Sequence, residues 1–211
     1  MFRLAVIALM FVVSQDPVHA EDHDPKKFED SIQAIEQKIA EGKSRAGQPL
    51  FIGSSTIRLW DVRKYFPSRA ANNHGFGGSH ISDSVHFFGR VVTPVHPSVI
   101  VFYAGDNDLA NKKSPDTVVQ DLQAFLKLVD EQCPNCRAVL FIAVKPSLKR
   151  WKLRELQQQT NTSVRKLSEG HKHLRYVDIW DAMLGEDGKP RPELFVKDGL
   201  HMSEDGYKLW T

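Results

Sequence analysis

Residues 98–105, SVIVFYAG, form a continuous apolar run that ends at a glycine. Valine, isoleucine, phenylalanine and tyrosine, which favour extended backbone, fill most of this run. Polar and apolar positions do not alternate along it, so both of its faces are expected to be covered. Strands of this kind are typical of parallel sheets that carry helices on both sides. The stretch therefore predicts a central strand of a parallel sheet, with Gly105 at its carboxyl end.

Four further strand-like runs flank this one, and helical patterns lie between them. The runs are PLFIG at residues 49–53, a weaker AANNHGF at 70–76, AVLFIAV at 138–144 and LRYVDI at 174–179. Helices are predicted at about residues 28–43, 57–65, 81–92, 115–129 and 151–168, and from about 204 onwards. Strands that alternate with helices, without hairpin signals, indicate a three-layer α/β/α sandwich with a central parallel sheet of about five strands.

The first 20 residues differ in character from the rest of the chain. A short basic start, MFR, precedes the apolar run LAVIALMFVV, and Val18 and Ala20 occupy the small-residue positions of a cleavage site. This pattern predicts a signal peptide over residues 1–20 that is cleaved near Ala20. The apolar run is too short to span a bilayer, which takes roughly 20 residues. We therefore expect an exported protein, periplasmic or secreted, with no integral membrane segment in the mature chain and a single domain over residues 21–211.

The composition is that of an ordinary globular protein. Hydrophobic residues make up 41% of the chain and charged residues 26%, with a formal net charge of +2. These values indicate neither a disordered chain nor a nucleic-acid partner. The two cysteines, Cys133 and Cys136, lie in CPNC. In an oxidising compartment a disulfide between them is the expected state; a redox-active pair or a zinc site is less favoured, because the motif follows a helix and lacks further ligands.

Polar groups collect at the predicted carboxyl ends of the strands, where ligands bind in open α/β sheets. The segments at these positions are GSST at 53–56, NHGFGGSH at 73–80, GDND at 105–108 and KPS at 145–147, and DGLH follows at 198–201. Together they offer a hydroxyl, backbone amides beside glycines, a carboxamide, a carboxylate and an imidazole. Acyl transfer by a serine needs this set of groups.

In this order, GSS, GFGG, GDND and DGLH resemble the four blocks of the SGNH or GDSL hydrolases, a superfamily of serine esterases and acylhydrolases. The resemblance spans residues 51–210 and implies the flavodoxin-like SGNH hydrolase fold. It places the nucleophile on Ser55. The first block departs from the family pattern, since Ser54 stands where the family name has Asp and Thr56 where it has Leu. Neither of these positions is the nucleophile.

The resemblance also implies the partners of the nucleophile. Asp198 and His201 correspond to the Asp-x-x-His pair that completes a catalytic triad. The oxyanion hole is expected to consist of the backbone N–H groups of Ser55 and Gly78 and the side chain of Asn107. The implied enzyme is an exported serine esterase or acylhydrolase that cleaves short-chain carboxylic esters through an acyl-enzyme intermediate, with no cofactor and no metal.

The sequence leaves alternative functions and further site residues open. The same residues would serve a carbohydrate O-acetyl esterase that acts on polysaccharide or cell wall, and the partner is accordingly a small-molecule or glycan ester. A lysophospholipase, a thioesterase and a non-catalytic binding module of the same fold are less favoured. Candidate substrate-binding residues are His80, Lys145 and Trp151. Asp106 and Asp108 are interpreted as stabilising their loop.

Overall fold

The computed structural model describes residues 24–211. The predicted signal peptide over residues 1–20 lies outside the described residues, so its prediction stands as made. No helix among residues 24–211 combines the length and the apolar character that a membrane crossing requires.

Five parallel strands form one sheet in the order β2-β1-β3-β4-β5. In chain order they are β1 (Leu50–Gly53), β2 (Asn72–Asn73), β3 (Ile100–Tyr103), β4 (Val139–Ile142) and β5 (Leu174–Val177). The run over residues 98–105 supplies β3, the central strand. Gly53 at the end of β1 is in register with Tyr103 at the end of β3, so the segments that follow these two strands leave the sheet side by side.

Nine α-helices surround the sheet in the described part of the chain. They are α1 (Glu29–Ala40), α2 (Ser55–Arg58), α3 (Val62–Tyr65), α4 (Ile81–His86), α5 (Phe88–Val91), α6 (Asp106–Ala110), α7 (Pro115–Gln132), α8 (Arg154–Gly170) and α9 (Glu204–Leu209). Short 3-10 turns lie at Pro25–Phe28, Thr93–Val95, Trp151–Leu153, Asp181–Met183 and Pro192–Leu194. The start of α7 is as predicted, because the Ser114 hydroxyl accepts a hydrogen bond from the backbone N–H of Thr117.

Two apolar clusters cover the two faces of the sheet. Successive strand residues point to opposite faces, and in β1 Ile52 joins the cluster beneath α1, α4, α5, α7 and α8, whereas Phe51 joins the cluster beneath α2, α3 and α9. The same alternation separates Phe102 from Tyr103 in β3. A parallel sheet enclosed between helical layers confirms the predicted α/β/α class.

Two predicted helices are broken in the structure. The helix expected over residues 57–65 is divided into α2 and α3, because the side-chain amide of Asn73 captures the carbonyl oxygens of Ile57 and Trp60 at 2.7 and 2.9 Å. The Asp61 carboxylate then caps α3 by accepting from Lys64 N. The helix expected over residues 81–92 is likewise divided into α4 and α5 at Phe87.

The predicted disulfide is absent from the structure. Cys133 and Cys136 are both buried free thiols. Cys133 follows the last turn of α7, and the Cys136 thiol lies 3.4 Å from the carbonyl oxygen of Ala138, to which it can donate. Both side chains belong to the larger apolar cluster, and burial raises the pKa of the Cys133 thiol to about 11. The pair therefore packs as two small apolar side chains.

Candidate active site

Ser55 is the first residue of α2 and is separated from the end of β1 by a tight turn with one intervening residue, Ser54. The turn brings the backbones of β1 and β3 into close contact. Gly53 has φ +133°, and a Cβ there would lie 1.9 Å from the carbonyl oxygen of Tyr103, so only glycine fits. Ser54 is buried and donates its N–H to the same carbonyl at 3.0 Å. Ser55 therefore lies at the end of the turn and the start of α2, where the first N–H groups of a helix have no intrahelical acceptor.

The side chains of Ser55, His201 and Asp198 form a chain of hydrogen bonds. His201 Nε2 lies 3.0 Å from Ser55 Oγ, and His201 Nδ1 lies 2.6 Å from Asp198 Oδ2. Because a carboxylate can only accept, Nδ1 carries the proton in this contact, which leaves Nε2 of the neutral ring as an acceptor for the Ser55 hydroxyl. The structure thus brings Ser55 into contact with a His–Asp pair whose histidine lies 146 residues further along the chain.

The Asp198 carboxylate is held as an anion by its hydrogen bonds. Its Oδ1 accepts from the backbone N–H groups of Leu200 and His201 at 2.8 and 2.9 Å, in addition to the bond from the His201 ring. Desolvation acts to raise the pKa of this carboxyl, but the bonds from the His201 side chain, the His201 backbone and the Leu200 backbone outweigh it and hold the pKa well below its usual value. The carboxylate therefore stays charged at neutral pH and fixes one orientation of the imidazole.

The loop that carries Asp198 and His201 is anchored on two sides. Within the loop, Val196 N donates to His201 O and Gly199 N donates to Val196 O, each at 2.9 Å. From outside, Lys149 N donates to Gly199 O at 3.0 Å. The helix that follows, α9, sends the Tyr207 hydroxyl to the carbonyl oxygen of Thr56 beside Ser55, at 2.8 Å. The loop and the start of α2 are thereby tied to each other.

Gly78 and Asn107 lie at the ends of the two strands adjacent to β1. Gly78 follows β2 and has φ +83°, and a Cβ there would meet no atom within 4 Å, so its backbone borders open space. Asn107 follows β3 in the first turn of α6, and its Nδ2 donates to the carbonyl oxygen of Ser79 at 3.0 Å. This bond fixes the Asn107 side chain next to the Gly78 turn.

Asp106 and Asp108 point into different environments. The Asp106 carboxylate is buried and lies 2.7 Å from Arg150 Nη1 and 3.6 Å from Lys145 Nζ. The Asp108 carboxylate accepts from Lys113 Nζ at 3.0 Å and from the backbone N–H of Ile81 at 3.2 Å. They do not form a carboxylate pair.

The three candidate substrate-binding residues differ in exposure. His80 and Lys145 are each only 1% exposed. Lys145 Nζ donates to the Tyr103 hydroxyl at 3.1 Å, and burial lowers the pKa of its ammonium group. Side chains this deeply buried do not line a substrate surface, so the prediction is wrong for these two residues. Trp151 is half-buried and stacks on Trp180 with ring centroids 6.4 Å apart; its contact with substrate stays a prediction.

Arg150 is a site residue that the sequence did not single out. Its Nη2 donates to Asn107 Oδ1 at 2.9 Å while its Nη1 contacts Asp106. The only sequence signal was its position, five residues after Lys145, in the segment that follows β4. Over residues 24–211, no group of three or more His, Cys, Asp or Glu side chains is arranged to hold a metal ion.

A comparison with protein-family models matches residues 58–209 to the GDSL-like Lipase/Acylhydrolase family. The match covers well over half of the chain. The chain belongs to this family. The resemblance drawn from the four sequence blocks is thus confirmed, and the protein is an ester hydrolase. The matched region contains Gly78, Asn107, Asp198 and His201 and begins three residues after Ser55.

The chain is also similar to a curated relative in sequence and to solved structures in fold. The chain is 26% identical over 178 residues to platelet-activating factor acetylhydrolase IB subunit alpha1 of Pongo abelii, a match that covers 80% of this chain and 74% of that protein. It shares its fold with a GDSL-like lipase from Bacteroides thetaiotaomicron at a TM-score of 0.66, with 20% identity and coverage of 89% and 93% of the two chains. An acetyl-xylooligosaccharide esterase from Geobacillus Stearmophilus, studied as a mutant, superimposes at a TM-score of 0.61, with 16% identity and coverage of 79% and 91%.

Proposed function

We propose that the protein is a serine esterase in which Ser55 is the nucleophile, His201 the general base and Asp198 the residue that orients the base. One observation carries this proposal: an uninterrupted hydrogen-bond chain joins Asp198 Oδ2, the His201 ring and Ser55 Oγ, with separations of 2.6 and 3.0 Å. A serine hydroxyl is a weak nucleophile unless a base takes its proton. His201 Nε2 is within reach of that proton and, with Nδ1 protonated, is free to accept it.

The reaction proceeds in two halves. Ser55 Oγ attacks the ester carbonyl carbon while its proton passes to His201 Nε2, and the carbonyl oxygen becomes an oxyanion. When the tetrahedral intermediate collapses, the bond to the alcohol oxygen breaks and His201 returns the proton to the departing alcohol. Water then attacks the acyl-enzyme as His201 takes its proton, the acid is released and the Ser55 hydroxyl is restored. Asp198 stays ionised throughout and stabilises the imidazolium.

The oxyanion is stabilised by three donors in this proposal: the backbone N–H groups of Ser55 and Gly78, and Asn107 Nδ2. The Ser55 N–H is at a helix start, where it needs no intrahelical acceptor, and Gly78 presents backbone without a side chain to open space. Asn107 Nδ2 donates one of its two hydrogens to the carbonyl oxygen of Ser79, and the other remains available to the oxyanion. A donor of this kind lowers the barrier by about 3 kcal/mol.

Paired serine variants test the assignment of the nucleophile. We expect Ser55→Ala to abolish hydrolysis of a short-chain ester and to prevent labelling by a fluorophosphonate. Ser54→Ala is the matched control, because Ser54 is buried and its backbone rather than its hydroxyl contacts Tyr103; it is expected to keep most of the activity. An active Ser55→Ala variant together with an inactive Ser54→Ala variant would place the nucleophile one residue earlier.

We propose further that the acyl group is short. The segment over residues 181–203 is the longest one with little regular structure in the described chain, but Met183, Leu194 and Phe195 within it are buried in the core and cannot line an acyl groove. A long acyl chain needs such a groove along its length, since each buried methylene contributes only about 0.8 kcal/mol. Two of the similar proteins described above are named as acetyl hydrolases, which supports the same choice.

A panel of esters tests this proposal and identifies the alcohol. We expect kcat/KM for acetyl or butyryl esters to exceed that for palmitoyl esters of the same alcohol. Carbohydrate O-acetyl esterase is the second candidate function; the same residues serve it, and the fold is shared with the acetyl-xylooligosaccharide esterase. Acetylated xylooligosaccharides in the panel would reveal it as release of acetate. Faster turnover of the palmitoyl ester would make the protein a lipase instead.

Export is part of the proposal as well. It is supported by the signal-peptide pattern of residues 1–20. Mass spectrometry of protein recovered from outside the cytoplasm is expected to give an N-terminus at residue 21, and an intact N-terminus on protein confined to the cytoplasm would refute it.

A further inference from the structure

The carboxamide of Asn107 is held at both of its polar ends. Asn107 Nδ2 donates to the carbonyl oxygen of Ser79 at 3.0 Å, and Asn107 Oδ1 accepts from Arg150 Nη2 at 2.9 Å. A backbone carbonyl can only accept and a guanidinium can only donate. Rotating the amide by half a turn would set oxygen against oxygen at Ser79 and donor against donor at Arg150. These two contacts therefore select one orientation of the amide.

The guanidinium that holds Asn107 is itself fixed. Arg150 Nη1 lies 2.7 Å from Asp106 Oδ2, and the Asp106 side chain is only 4% exposed. Asp106 Oδ1 accepts from Gln157 Nε2 on α8 at 3.1 Å. Arg150 thus uses one terminal nitrogen on the Asp106 carboxylate and the other on the Asn107 amide, and the planar group bridges two consecutive residues of α6. Lysine, with one ammonium group, lacks this fork.

We propose that Arg150 is a positioning residue for the oxyanion hole, acting through Asn107. The bridge keeps the second Nδ2 hydrogen of Asn107 available to the developing oxyanion. Arg150 also withdraws electron density from Asn107 Oδ1, and hydrogen bonds in series strengthen one another, so Nδ2 becomes a better donor. The inference rests on the proposed function, in which Asn107 supplies an oxyanion donor.

A role in packing alone would also explain a buried ion pair between Arg150 and Asp106. The neighbouring residue Lys149 fastens the same segment to the loop of His201 through Gly199, so loss of Arg150 could disturb the site without involving Asn107. The two explanations differ in one respect. Positioning through Asn107 predicts that the effect of Arg150 disappears when Asn107 is removed, whereas a packing role predicts that it persists.

A double-mutant cycle separates these explanations. We expect Arg150→Met to lower kcat roughly 10- to 100-fold with little change in KM, and Asn107→Ala to lower kcat about 100- to 1,000-fold. The double variant is expected to be no slower than Asn107→Ala alone. Arg175→Met is the matched control, because Arg175 is exposed and its guanidinium contacts only the backbone carbonyl oxygens of Lys172 and Leu174 among the described residues; its activity should equal that of the wild type. If Arg150→Met lowers kcat by the same factor in the wild type and in Asn107→Ala, or does not lower kcat at all, the proposal is wrong.

Two further measurements keep the test decisive if Arg150→Met does not fold. Arg150→Lys retains the charge but not the bridge, and the same cycle with this variant should give the same pattern with a smaller loss. The side-chain ¹⁵N amide signals of Asn107, assigned by their absence in Asn107→Ala, should shift and exchange faster with water in Arg150→Lys. Unchanged amide signals contradict the inference. The amide signals are measured without substrate turnover, so this result is independent of the test of Ser55.

Discussion

At the scale of single residues, one carboxylate decides which nitrogen of His201 accepts a proton. Asp198 receives the Nδ1 hydrogen at 2.6 Å and two backbone N–H groups of the same loop. With its pKa held well below the usual value, it remains a pure acceptor at neutral pH. The tautomer with a bare Nε2 is then the only one that satisfies both neighbours of the ring.

Asp198→Asn should therefore reverse the tautomer of His201 without removing the side chain. An asparagine amide that donates to Nδ1 forces the hydrogen onto Nε2, which can no longer take the Ser55 proton. We expect kcat to fall about 10,000-fold, as when the orienting carboxylate of a serine hydrolase is replaced, with the melting temperature close to that of the wild type. Asp205→Asn, an exposed residue paired with Lys208, is the control and should leave kcat unchanged. If the two variants kept similar activity, Asp198 would have no orienting role.

The residues of the site were predictable to different degrees. Ser55, Asp198 and His201 lie in short motifs whose order in the chain carries information, and the structure brings them into contact. Arg150 is in no such motif. Its importance arises because the segment after β4 folds over the first turn of α6, and no local pattern encodes a contact across that distance. Burial of His80 and Lys145 was unpredictable for the same reason.

At the scale of elements, α9 connects the His201 loop to the start of α2. Tyr207 stacks on Trp60 with ring centroids 5.6 Å apart, and Trp210 contacts both Trp60 and Tyr103. Leu209, on the other side of the helix, is 37% exposed. The helix thus presents an aromatic face to the core, and the Tyr207 hydroxyl adds a bond to Thr56 beside the proposed nucleophile.

Trp210→Ala and Tyr207→Phe are expected to destabilise the protein, whereas Leu209→Ala serves as the exposed control. Truncating a large, partly buried tryptophan should cost about 3 kcal/mol of unfolding free energy. Removing the Tyr207 hydroxyl should cost about 1 kcal/mol and should also lower kcat, because the Thr56 carbonyl beside Ser55 loses its partner. Urea denaturation and ester kinetics measure the two effects. If Leu209→Ala were as damaging as Trp210→Ala, the orientation assigned to α9 would be wrong.

Element boundaries show where sequence patterns lose their predictive value. Strands β1, β3 and β4 were predicted because continuous apolar runs report burial directly, whereas β2 is the asparagine pair Asn72–Asn73 within a weaker run. The prediction of one helix over residues 57–65 was wrong because the end of α2 depends on Asn73, a residue of β2. The Asn73 side chain donates to two carbonyl oxygens, one in α2 and one in the turn that follows it. A helical pattern records which residues face the core, but it does not record a distant side chain that ends the helix.

At the scale of the whole molecule, buried ionisable groups make stability depend on pH. His74 is fully buried between Ser44 and Val91: its Nδ1 donates to the Val91 carbonyl oxygen at 2.6 Å, and its Nε2 lies 2.8 Å from the Ser44 hydroxyl. Burial lowers the pKa of this imidazole to about 4. Asp108 acts in the opposite direction, since burial raises the pKa of its carboxyl to about 6 despite the contact with Lys113.

His74 and Asp108 have opposite effects on stability as the pH falls, so the contribution of His74 has to be measured against a variant that lacks this histidine. Between pH 6.5 and about 4 the unfolded chain protonates this histidine while the folded chain keeps it neutral. Stability therefore falls as the pH falls through that window, by up to about 3 kcal/mol for this residue.

His74→Asn removes the titrating group and can keep a donor for Val91. From pH 7 to pH 4, the unfolding free energy of the wild type is expected to fall by about 3 kcal/mol more than that of His74→Asn. His96→Asn is the control, because His96 is exposed and has φ 41°, a conformation that asparagine tolerates. Urea denaturation at several pH values measures all three proteins. Parallel pH profiles for wild type and His74→Asn would mean that His74 takes up its proton in the folded protein as readily as in the unfolded chain, and the acid sensitivity of the fold would then have to come from carboxylates such as Asp198.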